Sequence, residues 1–189
     1  MNNKLIIVVL IFPLLFACKN ADQKKTPGLP VAMEHAQKPD QSLNPDYAGL
    51  IEEHRTMLKK DPHNLAVIIA LGNAYYDSRS WSDAIRLYEQ ALAIDPQNAD
   101  VHTDMGTAYR NMGKPDRALA EYNLALDNDP GHVDARYNMD VVYAFDMKNY
   151  DVAIHLWEEF LQLAPNYSQA SDIRTFIMTF RKALRKGGT

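Results

Sequence analysis

A proline recurs at Pro62, Pro96, Pro130 and Pro165, with spacings of 34, 34 and 35 residues, and the chain between these prolines repeats itself. Aligned on the prolines, Leu71-Gly72, Met105-Gly106 and Met139-Asp140 share one register, and Tyr75, Tyr109 and Tyr143 share another. The second half of each unit repeats as well: Ala84, Tyr88 and Ala91 are matched by Ala118, Tyr122 and Ala125, and more loosely by Ala153, Trp157 and Phe160. A period of this length marks a stack of small units, none of which can bury its own apolar face alone.

The content of each unit is helical. Ile68, Leu71 and Tyr75 fall three and four residues apart, so they share one helical face. Gly72 lies beside them, and Gly106 repeats the arrangement. A glycine inside a helix costs about 1 kcal/mol and is tolerated mainly where another group must approach closely. In the second helices, alanines alternate with the rings of Tyr88 and Tyr122, so small residues form holes that large ones can fill. Tyr109 is expected to be a large buried ring wedged between such holes. Gly113 is placed to close a first helix at C′, and Pro115 to open the next one without loss of a needed N–H. Asp95-Pro96, Asp129-Pro130 and Ala164-Pro165 end the second helices, because proline disfavours helical geometry in the residue before it. The third unit departs from the pattern. Asp140 stands in place of glycine, Phe160 in place of alanine, and Tyr143 to Ala153 is ten residues where earlier units have nine, which places one inserted residue around Asp146 to Tyr150.

This period and residue pattern resembles the tetratricopeptide repeat (TPR), a helix-turn-helix unit that stacks into a solenoid. The resemblance implies an all-α solenoid of three repeats, 65–98, 99–132 and 133–166, within a domain spanning 45–186. In the same register, 46–60 reads as a helix with Tyr47, Leu50, Ile51, His54, Met57 and Leu58 on one side, suited to capping the N-terminal end. At the other end, 168–186 carries an apolar stripe of Ile173, Phe176, Ile177, Phe180 and Leu184. Arg174, Arg181, Lys182, Arg185 and Lys186 occupy its other faces. It reads as the C-terminal cap, with a membrane-surface or partner-binding segment as the alternative.

Ahead of the repeats, Leu5 to Phe16 is apolar apart from Pro13, follows a lysine, and ends at Ala17-Cys18: the layout of a signal peptide over 1–17. These twelve residues reach only about 18 Å as a helix, short of the roughly 30 Å bilayer core. Leu15-Phe16-Ala17-Cys18 resembles the lipobox of bacterial lipoproteins, which implies acylation of Cys18. Phe16 is larger than usual there, which leaves an ordinary secretory signal or an uncleaved anchor open. Lys19 in place of aspartate implies the outer membrane, facing the periplasm. Residues 18–44, with Pro27, Pro30 and Pro39 and no apolar period, read as a disordered tether whose ends lie about 25–30 Å apart.

The remaining composition excludes more than it assigns. A formal charge of −4 gives no basic footprint for nucleic acid. One cysteine forms no internal disulfide, and the six histidines lie one per element with no metal-binding pair, so no metal or cofactor is expected. No phosphate loop and no Gly-x-Ser-x-Gly elbow is present, and the adjacent pairs Glu52-Glu53 and Glu158-Glu159 diverge on a helix. An enzyme is not expected; a cryptic cell-envelope hydrolase is the rival from another class.

A TPR solenoid implies instead a concave groove lined by its first helices. By resemblance, that groove takes Ile69, Asn73, Tyr76 and Asp77 from the first unit. The second gives Asp100, Thr103, Asp104, Thr107, Arg110 and Asn111, and the third Asp134, Tyr137, Asn138, Val141 and Phe145. The carboxylate clamp of some family members needs lysine, asparagine and arginine at fixed positions, and only Asn73 matches. Asp77, Asp100, Asp104 and Asp134 against Arg110 favour a basic or neutral protein or peptide as the partner. The expected function is a lipid-anchored periplasmic scaffold or adaptor. Presentation of apocytochromes during cytochrome c maturation and piloting of pilus or secretion subunits are the alternatives.

Overall fold

The computed structural model describes residues 47–187. The leader 1–17, Cys18 and the tether 18–44 lie outside them. The described residues form helices α1 (Tyr47–Lys60), α2 (Leu65–Asp77), α3 (Trp81–Ile94), α4 (Ala99–Asn111), α5 (Pro115–Asn128), α6 (Val133–Val141), α7 (Tyr150–Leu163) and α8 (Ala170–Gly187). A π-helical turn, Val142–Asp146, continues α6. Each helix packs mainly on its neighbours in sequence, which makes the molecule an all-α solenoid.

Boundaries follow from local chemistry. Asn64 and Asn98 cap α2 and α4 by accepting from the amides of Val67 and Val101 at 3.2 and 3.1 Å. At the same register His132 caps α6, its Nδ1 accepting from the Ala135 amide at 3.2 Å. The C-terminal ends of α2 and α4 close alike. The amides of Ser80 and Lys114 donate to the carbonyls of Tyr75 and Tyr109 at 2.8 and 3.0 Å, around left-handed residues Arg79 (φ 63°) and Gly113 (φ 70°). In the third unit the matching bond runs from Asn149 to Tyr143 at 2.9 Å and encloses one more residue, with Lys148 at φ 54°. The inserted residue is therefore taken up within the helix, as the π turn at Val142–Asp146, and not in the loop up to Tyr150.

The glycines are holes, as expected. A Cβ on Gly72 would stand 2.7 Å from Cε1 of Tyr88, and one on Gly106 would stand 2.6 Å from Cε1 of Tyr122. Both rings are buried. Tyr109 is not the buried wedge anticipated for it. Its ring is half-buried, with the Arg117 guanidinium 5.6 Å above it, because the hole beside Gly106 is already filled from α5 by Tyr122.

At the third register the hole is filled from the other side. Asp140 is fully buried and neither of its carboxylate oxygens has a hydrogen-bond partner; Nε1 of the buried Trp157, at the register of Tyr88 and Tyr122, is also unpartnered. Burial pushes the Asp140 carboxyl up to about 8, against the pull of Arg136. Beyond it, Trp157 and Phe160 of α7 meet Ile173, Phe176 and Phe180 of α8 in an aromatic core. The rings of Trp157 and Phe180 stack at 5.8 Å. The apolar stripe of α8 thus closes that end. At the other end, α1 contributes no fully buried residue and lays Ile51 and Leu58 on the first core.

Candidate binding groove

The first helices of successive units, α2, α4 and α6, line an open cavity of about 420 Å³ whose walls include Tyr76, Asp100, Asp104, His132, Asp134 and Asn138. Thr103 and Thr107 form its floor on α4. Both hydroxyls turn back to helix carbonyls, Thr103 Oγ1 to Ala99 at 2.8 Å and Thr107 Oγ1 to Thr103 at 2.9 Å.

Most polar groups along this face bond to one another. Tyr88 Oη donates to Asn73 Oδ1 at 2.8 Å, and Asn111 Nδ2 donates to Tyr76 Oη at 2.9 Å. Asn138 lies 3.5 Å from the Thr107 hydroxyl, which also sits 3.2 Å from Tyr122 Oη. Arg110 donates to Asp146 at 2.5 Å, an ion pair that neutralises the one cation among the residues expected to line the groove. Tyr167 Oη donates to Asp134 Oδ1 at 2.7 Å. His132 Nδ1 is an acceptor at the α6 cap, so its Nε2 carries the proton and donates to Asp100 Oδ1 at 2.9 Å.

Two carboxylates are left over. Asp77 and Asp104 accept no hydrogen bond from any described residue. Burial, with Asp100 adding repulsion, pushes the Asp104 carboxyl up to about 6, while His132 opposes the shift. Asp77 is raised by burial alone. At neutral pH the groove therefore holds an ionised, half-buried and unpaired acid on its central helix. Such a group is stabilised by any cation that can reach it.

The expected lining residues divide by position. Asp100, Thr103, Asp104, Thr107, Asp134 and Asn138 come together with Tyr76, and Asn73, Asp77, Arg110 and Asn111 flank them. Phe145 lies elsewhere: its ring packs on Trp157, Phe176 and Phe180 at 6.0, 5.5 and 5.8 Å. Tyr137 is half absorbed in the same way, 5.3 Å from Tyr167. Val141 is buried, and Ile69 rests on the first core. His132, Asp146 and Tyr167 belong to the groove and were not anticipated. The first had a visible cue, a histidine at the register of capping Asn64 and Asn98. The other two reach in from a π turn and from the segment before α8, and no period marks them. Among the described residues no three His, Cys, Asp or Glu side chains gather as a metal site, and no helix is long and apolar enough to cross a membrane.

The family pattern described as TPR repeat matches residues 72–113, and a second, described as tetratricopeptide repeat, matches 99–132. Among solved structures, MamA superposes with a TM-score of 0.60 at 21% identity, over 76% of this chain and 91% of that one. The Sgt2 TPR domain from Aspergillus fumigatus gives 0.57 at 26% identity, over 66% and 81%. The first TPR of Spaghetti (RPAP3), bound to the HSP90 peptide SRMEEVD, gives 0.57 at 24%, over 64% and 95%. Comparison with curated protein sequences gives no match. Residues 72–132 thus match tetratricopeptide-repeat patterns, and the described residues share the all-α solenoid fold of these TPR structures.

Proposed function

We propose that the solenoid is a binding scaffold, not an enzyme, and that its groove takes a basic or neutral segment of another protein, with a cation directed at Asp104. The reading counts three repeats, α2–α3, α4–α5 and α6–α7, between a half-unit at either end. One observation carries the ligand's charge: Asp104 is half-buried and its carboxylate accepts no hydrogen bond from any described residue, while Arg110, the one cation expected to line the groove, is held by Asp146. The peptide bound to the Spaghetti domain, SRMEEVD, is acidic; the groove described here carries the opposite requirement. Asp100 and Asp134 steer the approach, and the face of Tyr76 supplies apolar contact.

Lipid anchoring through Cys18 belongs to the same proposal. It would hold the scaffold at a membrane, which suits the capture of a partner near that surface. Neither a cytochrome-maturation nor a pilotin role is favoured by any particular residue of the groove.

Fluorescence anisotropy with a lysine-containing peptide and its glutamate-substituted counterpart tests the groove. Asp104→Asn should weaken the basic peptide about tenfold, since a half-buried charge pair contributes on the order of 1.4 kcal/mol or more. Moderate salt should weaken it further as the Debye length shortens. Equal binding of both peptides, indifferent to salt and to Asp104→Asn, would rule the acidic groove out. For the anchor, radiolabelled palmitate incorporation should vanish in Cys18→Ser.

A further inference from the structure

The face of α8 that points away from the aromatic core has a counterpart elsewhere in the chain. In α4, the positions that meet their own second helix are His102, Met105, Gly106 and Tyr109. His102 bonds to Glu121, Gly106 lies under the Tyr122 ring, and Tyr109 lies under Arg117. The interval from Pro96 to Pro165 carries these positions to Ser171, Arg174, Thr175 and Met178. All four are exposed. α8 therefore presents the seat of a second helix with no helix of the described residues upon it.

The seat has a definite chemistry. Met178 is 64% exposed, and shallow depressions of about 520 and 440 Å³ open on its two sides. Leu161 and Ile177 give one of them an apolar floor. Around the methionine stand Arg174, Arg181, Lys182 and Arg185. Arg181 is paired with Glu158, whereas the other three form no ion pair among the described residues, Arg174 donating instead to the Pro165 carbonyl at 3.4 Å. This is a cationic surface on a chain whose formal charge is −4.

We infer that this face of α8 is a docking surface for a partner protein, which it receives as an acidic amphipathic helix lying where the second helix of the unit would pack. The shape follows from the register, which reserves a strip for a helix packed alongside α8. Charge follows from three unpaired cations flanking it. Affinity follows from Met178, whose unbranched thioether adapts to whichever apolar side chain arrives. An anionic bilayer fits less well, because a single exposed methionine among cations gives little apolar surface to insert. The surface is separate from the acidic groove and does not depend on the reading given for it.

The probe is a synthetic helical peptide with leucines along one stripe and glutamates on its flanks, compared with a scrambled peptide of the same composition and a lysine-for-glutamate version. The full chain should bind the first at least about tenfold more tightly than either control, with amide shifts confined to α7 and to Ser171–Arg185. Binding should be lost in an Arg174→Glu, Lys182→Glu, Arg185→Glu variant and weakened in Met178→Ala. Circular dichroism should show both variants folded, since every substituted side chain is exposed. The inference is overturned by equal binding of the scrambled peptide, or by shifts in the groove. It is equally overturned if the wild type, but not the triple variant, sediments with phosphatidylglycerol vesicles while ignoring the peptide, or self-associates through this face.

Discussion

At the scale of single residues, the third register shows what a hole costs when it is filled by an ionisable group. Asp140 titrates near 8 in the folded chain and near the ordinary 3.8 when unfolded, so between these values the folded state holds the extra proton. Stability therefore falls as pH rises from about 4 to 8, by up to about 1.4 kcal/mol per unit, and levels off above. Asp140→Asn should flatten that slope and raise the melting temperature most at alkaline pH, which thermal unfolding across a pH series would show. The rings give a second comparison. Tyr122, fully buried against Gly106, should lose about 3–5 kcal/mol on truncation to alanine, whereas half-buried Tyr109 should lose clearly less; equal losses in denaturant unfolding would contradict the packing described. Sequence spacing made the glycine holes legible because both partners recur at fixed intervals. It misassigned Tyr109 because periodicity names the face of a helix, while the competing ring from α5 decides which side chain fills the hole.

At the scale of elements, helix ends and turns were readable from prolines and Gly113, both local chemistry. The π turn was readable only as a surplus of one residue. Whether that surplus bulges in the helix or lengthens the loop is settled by tertiary packing, here the contact of Phe145 with Trp157 and α8. That also explains why Phe145, expected in the groove, lies outside it: the π turn at Val142–Asp146 carries it away from the earlier register. α8 itself is required. A chain ending after Pro165 would expose Phe145, Trp157 and Phe160 together, and should lose the cooperative unfolding of α6 and α7 while binding a hydrophobic dye. A truncated chain with unchanged α6–α7 amide protection would show the cap to be dispensable.

At the scale of the whole molecule, the groove and the α8 seat carry opposite charge at different places on one solenoid. The acidic groove was visible in the sequence as a set of aspartates at one register; its internal pairing, and hence which carboxylate remains available, was not, since His132, Tyr167 and Asp146 come from other units. One of those pairings reaches beyond binding. His132 holds the first turn of α6 with one ring nitrogen and Asp100 of α4 with the other. The imidazole is thus a pin between two neighbouring units, and the same carboxylate that fastens it faces the ligand. A cation that claims Asp100 should loosen the pin, so occupancy and the curvature of the solenoid are mechanically coupled. Small-angle scattering should register a change in radius of gyration on saturation with a basic peptide. His132→Asn, which keeps the cap but is too short to span to Asp100, should already resemble the loosened form and change little when the peptide is added.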